Sequence, residues 1–122
     1  MIARRPDGDE KVVVAQFKLP KPFRPRLWPK AKPELRKLAE TIAVQTSPAA
    51  KVAAPEETTL AGRRALSFDV TYERNGEARV DRLIFLLVGQ REFQVTCSIS
   101  LEERAAGDAA CALLRRTFRL RA

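Results

Sequence analysis

The sequence contains no histidine among its 122 residues. Histidine is the commonest general base near neutral pH and the commonest side chain that binds transition metals. A glycine-rich phosphate-binding loop is missing too, because Gly62 stands alone without a following Lys-Ser or Lys-Thr pair. The composition therefore argues against an enzyme, and it predicts a protein without a catalytic site, a metal or a cofactor.

Long hydrophobic runs are also missing. The longest stretch of apolar residues extends only from Leu83 to Val88, far less than the roughly 20 residues that cross a bilayer. Residues 1–10 are polar and contain no apolar segment typical of a secretory signal. These features predict no membrane span and a cytoplasmic location, although a chain from which a signal had been removed would look the same.

Cysteine is scarce, with only Cys97 and Cys111 in the chain. Their spacing matches no zinc-binding or redox motif. Both fall at positions expected to be buried, so two free thiols in the core are the favoured interpretation. A disulfide between a strand and the helix behind it is the alternative, and it is favoured only if the protein is exported.

Positive charge predominates, with a formal net charge of +8. Seven basic residues and no acid lie between positions 11 and 32; they are Lys11, Lys18, Lys21, Arg24, Arg26, Lys30 and Lys32. Such a surface favours acidic partners. Because Phe23 and Trp28 lie in the segment from Lys18 to Lys37, that segment could hold single-stranded nucleic acid by base stacking. The competing interpretation is a solvated edge, stiffened by prolines, that prevents pairing with other sheets.

Turn signals and alternating patterns predict an α+β fold. Residues 11–122 are predicted to form one domain, preceded by a flexible lead-in of residues 1–10. The core is predicted to be an antiparallel sheet with a three-strand meander over about 64–99, because apolar and polar residues alternate along it. Tight turns at Asn75-Gly76 and Gly89-Gln90 separate the three strands.

Two helices are predicted to flank this sheet. The first covers about 33–46, since apolar residues recur at helical spacing from Leu35 and Pro33 suits the start of a helix. The second covers about 101–116, with Ser100 and Glu103 as a capping box.

The wet faces of the strands supply the candidate partner-binding residues. Polar side chains that alternate with core residues lie together on one side of a strand. They are Ser67, Asp69, Thr71 and Glu73 on the first strand of the meander, and Glu92, Gln94, Thr96 and Ser98 on the third. Trp28 is added as an aromatic anchor of the extended, proline-rich surface segment that precedes the first helix.

The pattern from Leu60 onward resembles the PsbP-like fold. The matching features are Leu60 and Gly62 at the entry, the alternating strand from Leu66 to Tyr72, the Asn75-Gly76 turn, and a closing helix that ends in Thr117-Phe118. The predicted first helix, with Leu35, Leu38 and Ile42, also falls where the family has one. The resemblance covers about residues 11–120.

This superfamily includes the photosystem II extrinsic protein, DcrB-like bacterial proteins and the Eag-type effector chaperones of type VI secretion. The resemblance implies a sheet flanked by helices and a non-enzymatic binding role. The family's opening hairpin, with its Pro-x-Gly-Trp-like motif, has no counterpart in this sequence. The chain therefore resembles a member shortened at its N-terminus, in which one sheet edge is open or filled by a partner.

Two functions follow as hypotheses. The first is a non-catalytic protein-binding module, an adaptor or chaperone-like protein that binds through an exposed sheet face or an open edge. Its partner classes include a secreted effector, a membrane-associated complex and a second copy of the chain. The second is a small basic protein that binds nucleic acid through the segment from Lys18 to Lys37.

Overall fold

The computed structural model describes residues 2–4 and 11–119, and it places them in one sheet and two helices. The strands are β1 (Ile2–Arg4), β2 (Lys11–Phe23), β3 (Lys51–Val52), β4 (Glu56–Leu60), β5 (Arg63–Arg74) and β6 (Glu77–Ser100). The helices are α1 (Trp28–Thr46) and α2 (Arg104–Thr117), each preceded by a short 3-10 turn. The predicted α+β class is confirmed.

The sheet is antiparallel throughout. Its strand order is β1-β2-β6-β5-β3, and β4 also pairs with β5. The predicted lead-in lies outside the described residues except for β1, which pairs with β2 and so belongs to the sheet. The two-residue turn at Asn75-Gly76 joins β5 to β6, because both residues have the positive φ that this turn requires.

Strand β6 folds back on itself. The Ser98 hydroxyl donates a hydrogen bond of 2.8 Å to the carboxylate of Asp81, although the two residues are 17 positions apart in one extended element. A straight strand would separate them by about 55 Å. The midpoint between them is Gly89-Gln90, and Gly89 has a φ of +57°. Residues 77–88 and 91–100 are therefore two adjacent arms, and the meander consists of β5, the first arm and the second arm.

The two helices cover opposite faces of the sheet. Helix α1 packs with the apolar side of β5 and the first arm, including Phe68, Leu83 and Phe85. Helix α2 packs on the other face, with residues such as Val95 and Ile99 of the second arm. The structure joins Cys97 to Cys111 in a disulfide, so α2 is linked covalently to the second arm. The two cysteines are therefore not free thiols in this structure, contrary to the favoured interpretation of the sequence.

Both predicted helix starts need correction. Helix α1 begins at Trp28 rather than near residue 33, and it contains Pro33 inside its early turns. Pro29 lies at the N-terminal end of the helix, where its missing N–H costs little, so the prolines there did not prevent an earlier start. Helix α2 begins at Arg104 after a 3-10 turn, and the Ser100 side chain makes no capping hydrogen bond.

Candidate partner-binding surface

The predicted polar residues divide between the two faces of the sheet. The β5 set, Ser67 to Glu73, lies on the α2 side, because the alternate residues Leu66 to Tyr72 pack toward α1. The second-arm set, Glu92 to Thr96, lies on the α1 side, because Phe93 to Ile99 pack toward α2. The two sets of candidate residues therefore do not form one continuous surface. Alternation identifies the buried side of each strand, but it does not show that two strands bury different sides of the same sheet.

The β5 set is partly used within the fold. Asp69 accepts a hydrogen bond of 3.0 Å from Arg82 on the first arm. The same guanidinium reaches Asp108 of α2 at 3.4 Å. The hydrogen bond from Arg82 to Asp69 is the main reason that the pKa of Arg82 is raised above its usual value. Asp69 therefore helps to hold α2 against the sheet, whereas Thr71 and Glu73 are exposed.

The second-arm set faces a part of the sheet that neither helix covers. Strand β2 pairs with the second arm so that Val13 is opposite Thr96, Ala15 opposite Gln94 and Phe17 opposite Glu92. Cross-strand partners project on the same side, so these residues form one surface beside α1. We call it the open face; its members are Val13, Ala15, Phe17, Glu92, Gln94 and Thr96. Phe17 is 48% exposed, and the other five side chains are half-buried.

A buried polar cluster borders the open face. Asp81 accepts hydrogen bonds of 2.8 Å from both the Tyr72 hydroxyl and the Ser98 hydroxyl. Burial, reinforced by the neighbouring Asp81 carboxylate, raises the pKa of Tyr72 above 10. No sequence pattern considered above predicted that Tyr72, Asp81 and Ser98 form a cluster. The two turns would have indicated it, because Asn75-Gly76 and Gly89-Gln90 together set the register of three strands.

Trp28 is not a surface residue. Its side chain is 2% exposed, packs edge-to-face on Phe23 at a centroid distance of 5.5 Å, and lies beneath the guanidinium of Arg64. The expectation that Trp28 is exposed on an extended surface segment was wrong. The reason is the early start of α1, which turns the indole ring into the core instead of leaving it on an extended segment.

The basic residues around Trp28 lie at one end of the molecule. Lys32 and Arg64 both pair with Glu57, with Lys32 Nζ 2.7 Å from a carboxylate oxygen. The hydrogen bonds from Lys32 and then Arg64 lower the pKa of Glu57. Six further basic residues near this end are exposed and form no ion pair with any described residue; they are Lys18, Lys21, Arg24, Arg26, Lys30 and Arg63.

The described residues can also be compared with what a metal site and a membrane-spanning helix require. Within the described residues, no three Cys, Asp or Glu side chains are grouped so that they could hold a metal ion. Neither described helix combines the length and the apolar character that are needed to cross a membrane.

Comparison with known proteins gives a similarity in fold to solved structures. No family model matches the chain, and no curated protein matches it. Among solved structures, the chain is similar to the crystal structure of PA94 from Pseudomonas aeruginosa, a protein of unknown function for which a regulatory role has been suggested. The TM-score is 0.56 at 16% sequence identity, over 100% of this chain and 97% of PA94. At this identity the similarity shows a shared fold.

Proposed function

We propose that this protein is a non-catalytic binding module, an adaptor or chaperone-like protein that holds a polypeptide partner on its open face. The observation that carries the proposal is the uncovered half of the α1 side of the sheet. Helix α1 packs over β5 and the first arm, while Phe17 and its neighbours on β2 and the second arm have no element above them among the described residues. A partly apolar sheet surface of this kind supports protein binding.

The edge beside the open face supports the same function. Among the described residues, β1 pairs with β2 at Lys11, Val12 and Val13, and Val14 also has a partner. From Ala15 onward the outer edge of β2 runs toward Pro20 and Pro22, which cannot donate backbone hydrogen bonds. An extended partner segment could therefore pair with β2 over a short stretch before the prolines and lay its side chains on the open face.

Binding of nucleic acid is the second candidate, and the unpaired basic residues at the Trp28 end favour it. Single-stranded nucleic acid is usually held by exposed aromatic rings beside such charges. Trp28 is buried, so the structure offers no stacking surface at that residue. We therefore rank protein binding first.

The class of partner, the superfamily and the cellular location stay proposals. A secreted effector, a membrane-associated complex and a second copy of the chain remain the partner classes proposed, and membership of the PsbP-like superfamily remains a proposal. The cytoplasmic location expected from the sequence is likewise a prediction. The disulfide between Cys97 and Cys111 is the observation that weighs against it, because such bonds persist mainly in oxidising compartments.

A photo-crosslinking experiment tests the proposal. A benzophenone side chain is introduced at Gln94 on the open face or, as a control, at exposed Thr71 on the opposite face. We expect one defined polypeptide to be crosslinked from position 94 alone, with a yield that nuclease treatment does not change and that Phe17→Glu abolishes. Nuclease-sensitive adducts would favour the second candidate. Equal adducts from both positions would contradict any role for the open face.

A further inference from the structure

A small pocket lies at the basic end of the molecule. It has a volume of about 100 Å³ and is lined by Phe23, Pro25, Trp28, Leu87, Arg63 and Arg64. Four of the six residues are apolar and two are arginines. An apolar floor beside guanidinium groups suits a ligand that has both an aliphatic part and a negative charge.

The two arginines differ in their partners. Arg64 pairs with Glu57 and lies 5.4 Å above the centroid of the Trp28 ring. The side chain of Arg63 is exposed and makes no hydrogen bond or ion pair with any described residue. Arg24 and Arg26 flank the pocket residue Pro25 in the sequence, and they too have no acidic partner among the described residues. The positive charge at the pocket is therefore available to a ligand.

A buried donor at the pocket also lacks a partner. The indole N–H of Trp28 is fully buried, and no acceptor lies within hydrogen-bonding distance of it in the described part of the chain. Buried polar groups of this kind are normally satisfied, but an N–H without accessible surface is out of reach of a ligand in the open pocket, so it plays no part in recognition there.

The pocket is continuous with the open face. The fold-back of β6 that places Asp81 beside Ser98 also places Leu87 beside Glu92, since both pairs are centred on Gly89-Gln90. Leu87 lines the pocket, and Glu92 belongs to the open face, opposite Phe17. A polypeptide segment lying on the open face could therefore reach the pocket without a break.

We propose that the pocket binds an aliphatic side chain of the partner polypeptide, flanked by acidic residues whose carboxylates pair with Arg63. This deepens the function proposed above and rests on it. The volume of about 100 Å³ is smaller than the roughly 150 Å³ of an apolar cavity known to bind benzene, so it suits a branched aliphatic side chain better than an aromatic ring. A nucleobase is disfavoured also because the ring of Trp28 is too buried to stack on one.

Trp28 provides the readout, because it is the only tryptophan in the chain. Three blocked pentapeptides serve as probes: Glu-Asp-Leu-Asp-Glu, its neutral version Gln-Asn-Leu-Asn-Gln, and Glu-Asp-Ser-Asp-Glu, which lacks the aliphatic side chain. Oligo-dT of five nucleotides is the fourth probe. Each is titrated into the full chain while tryptophan emission is followed, and amide NMR shifts verify where it binds.

We expect only the acidic leucine peptide to give a saturable change in emission, with the neutral and serine peptides at least about tenfold weaker. Arg63→Gln should weaken the acidic leucine peptide about tenfold, as expected for loss of a charge-assisted hydrogen bond. Lys51→Gln removes the same charge from an exposed position on β3 and should change the affinity less than twofold.

Several outcomes would overturn the pocket proposal: no saturable binding, equal affinity for the neutral peptide, an equal effect of Lys51→Gln, or tighter binding of oligo-dT. If the pocket fails in this way while crosslinking from Gln94 still captures one polypeptide, the proposed function stands without the pocket. If crosslinking from Gln94 also fails, the open face is not the binding surface.

Discussion

The two helices are attached to the sheet in different ways. Helix α1 has 19 residues and buries Trp28, Leu35, Ala39 and Ala43 along its length. Helix α2 has 14 residues and buries only Gly107, Cys111 and Leu114. Its attachment to the sheet includes the disulfide, the close approach of Gly107 to Ile99 and the ion pair between Arg82 and Asp108. Attachment of α1 is spread over a wide apolar surface, whereas attachment of α2 depends on a few specific contacts.

This difference has a physical consequence for each side of the sheet. A wide apolar interface loses stability in proportion to the volume that a substitution removes. An attachment made by a few specific contacts, including a covalent bond and a close approach of backbone to side chain, loses a large share of its stability when one of them is changed. Substitutions can therefore test the comparison directly.

The largest effect is expected beneath α1. Phe85 is fully buried and meets Phe68 edge-to-face at 5.9 Å. Phe85→Ala should lower the free energy of unfolding by about 3–5 kcal/mol, because it removes a packed aromatic ring. Urea denaturation followed by circular dichroism measures the change. The control is Phe17→Ala on the open face, which should cost far less. Equal costs would mean that Phe85 is not in the core.

The disulfide is expected to give the next largest effect. Cys97 and Cys111 are separated by 14 positions, and a crosslink of that loop length contributes about 3 kcal/mol. Replacing both cysteines by alanine should therefore destabilise the fold by about this amount. Hydrogen exchange should increase more at amides of α2 than at amides of α1. An equal increase in both helices would contradict the idea that α2 depends on this bond.

A smaller effect is expected at the close contact of α2. A Cβ atom on Gly107 would lie 2.5 Å from a methyl carbon of Ile99, so α2 or the buried Ile99 side chain would have to shift. Gly107→Ala should cost about 1–3 kcal/mol despite the better helix propensity of alanine. In a double-mutant cycle, Ile99→Ala should remove most of this cost. Additive effects would show that the two residues do not touch.

The smallest effect is expected in the polar cluster beside the open face. Tyr72→Phe should cost about 1.5 kcal/mol, because it removes a hydrogen bond to a charged carboxylate. The pKa of Tyr72 is raised in the fold, so its contribution to stability is complete below about pH 10 and is lost as the pH rises above that value.

Absorbance at 295 nm can follow this ionisation, because Tyr72 is the only tyrosine in the chain. The midpoint should lie above pH 10 in the native protein and move down in denaturant and in Asp81→Asn. A native midpoint at or below that of the denatured chain would contradict the buried hydrogen bond.

The sequence predicts the sheet better than it predicts the surface. Asn75-Gly76 and Gly89-Gln90 are local turn signals, and they set the meander correctly. The start of α1 was missed because burial of Trp28 depends on tertiary packing against Phe23, which no local pattern reports. The face on which each polar residue lies was missed for a related reason. It depends on which helix covers which side, and both helices have apolar faces that suit either side.

The buried disulfide has one more consequence. Thiol–disulfide exchange requires that a thiolate reach one of the two sulfur atoms. Cys97 and Cys111 are each 1% exposed, so a small thiol such as glutathione reaches the bond only when α2 opens from the sheet. Reduction of the folded chain is therefore slow, and the bond outlasts transfer to a reducing solution for as long as α2 stays packed on the sheet. The native protein, isolated under non-reducing conditions and assayed for free thiols, thus preserves a chemical record of the place where it folded.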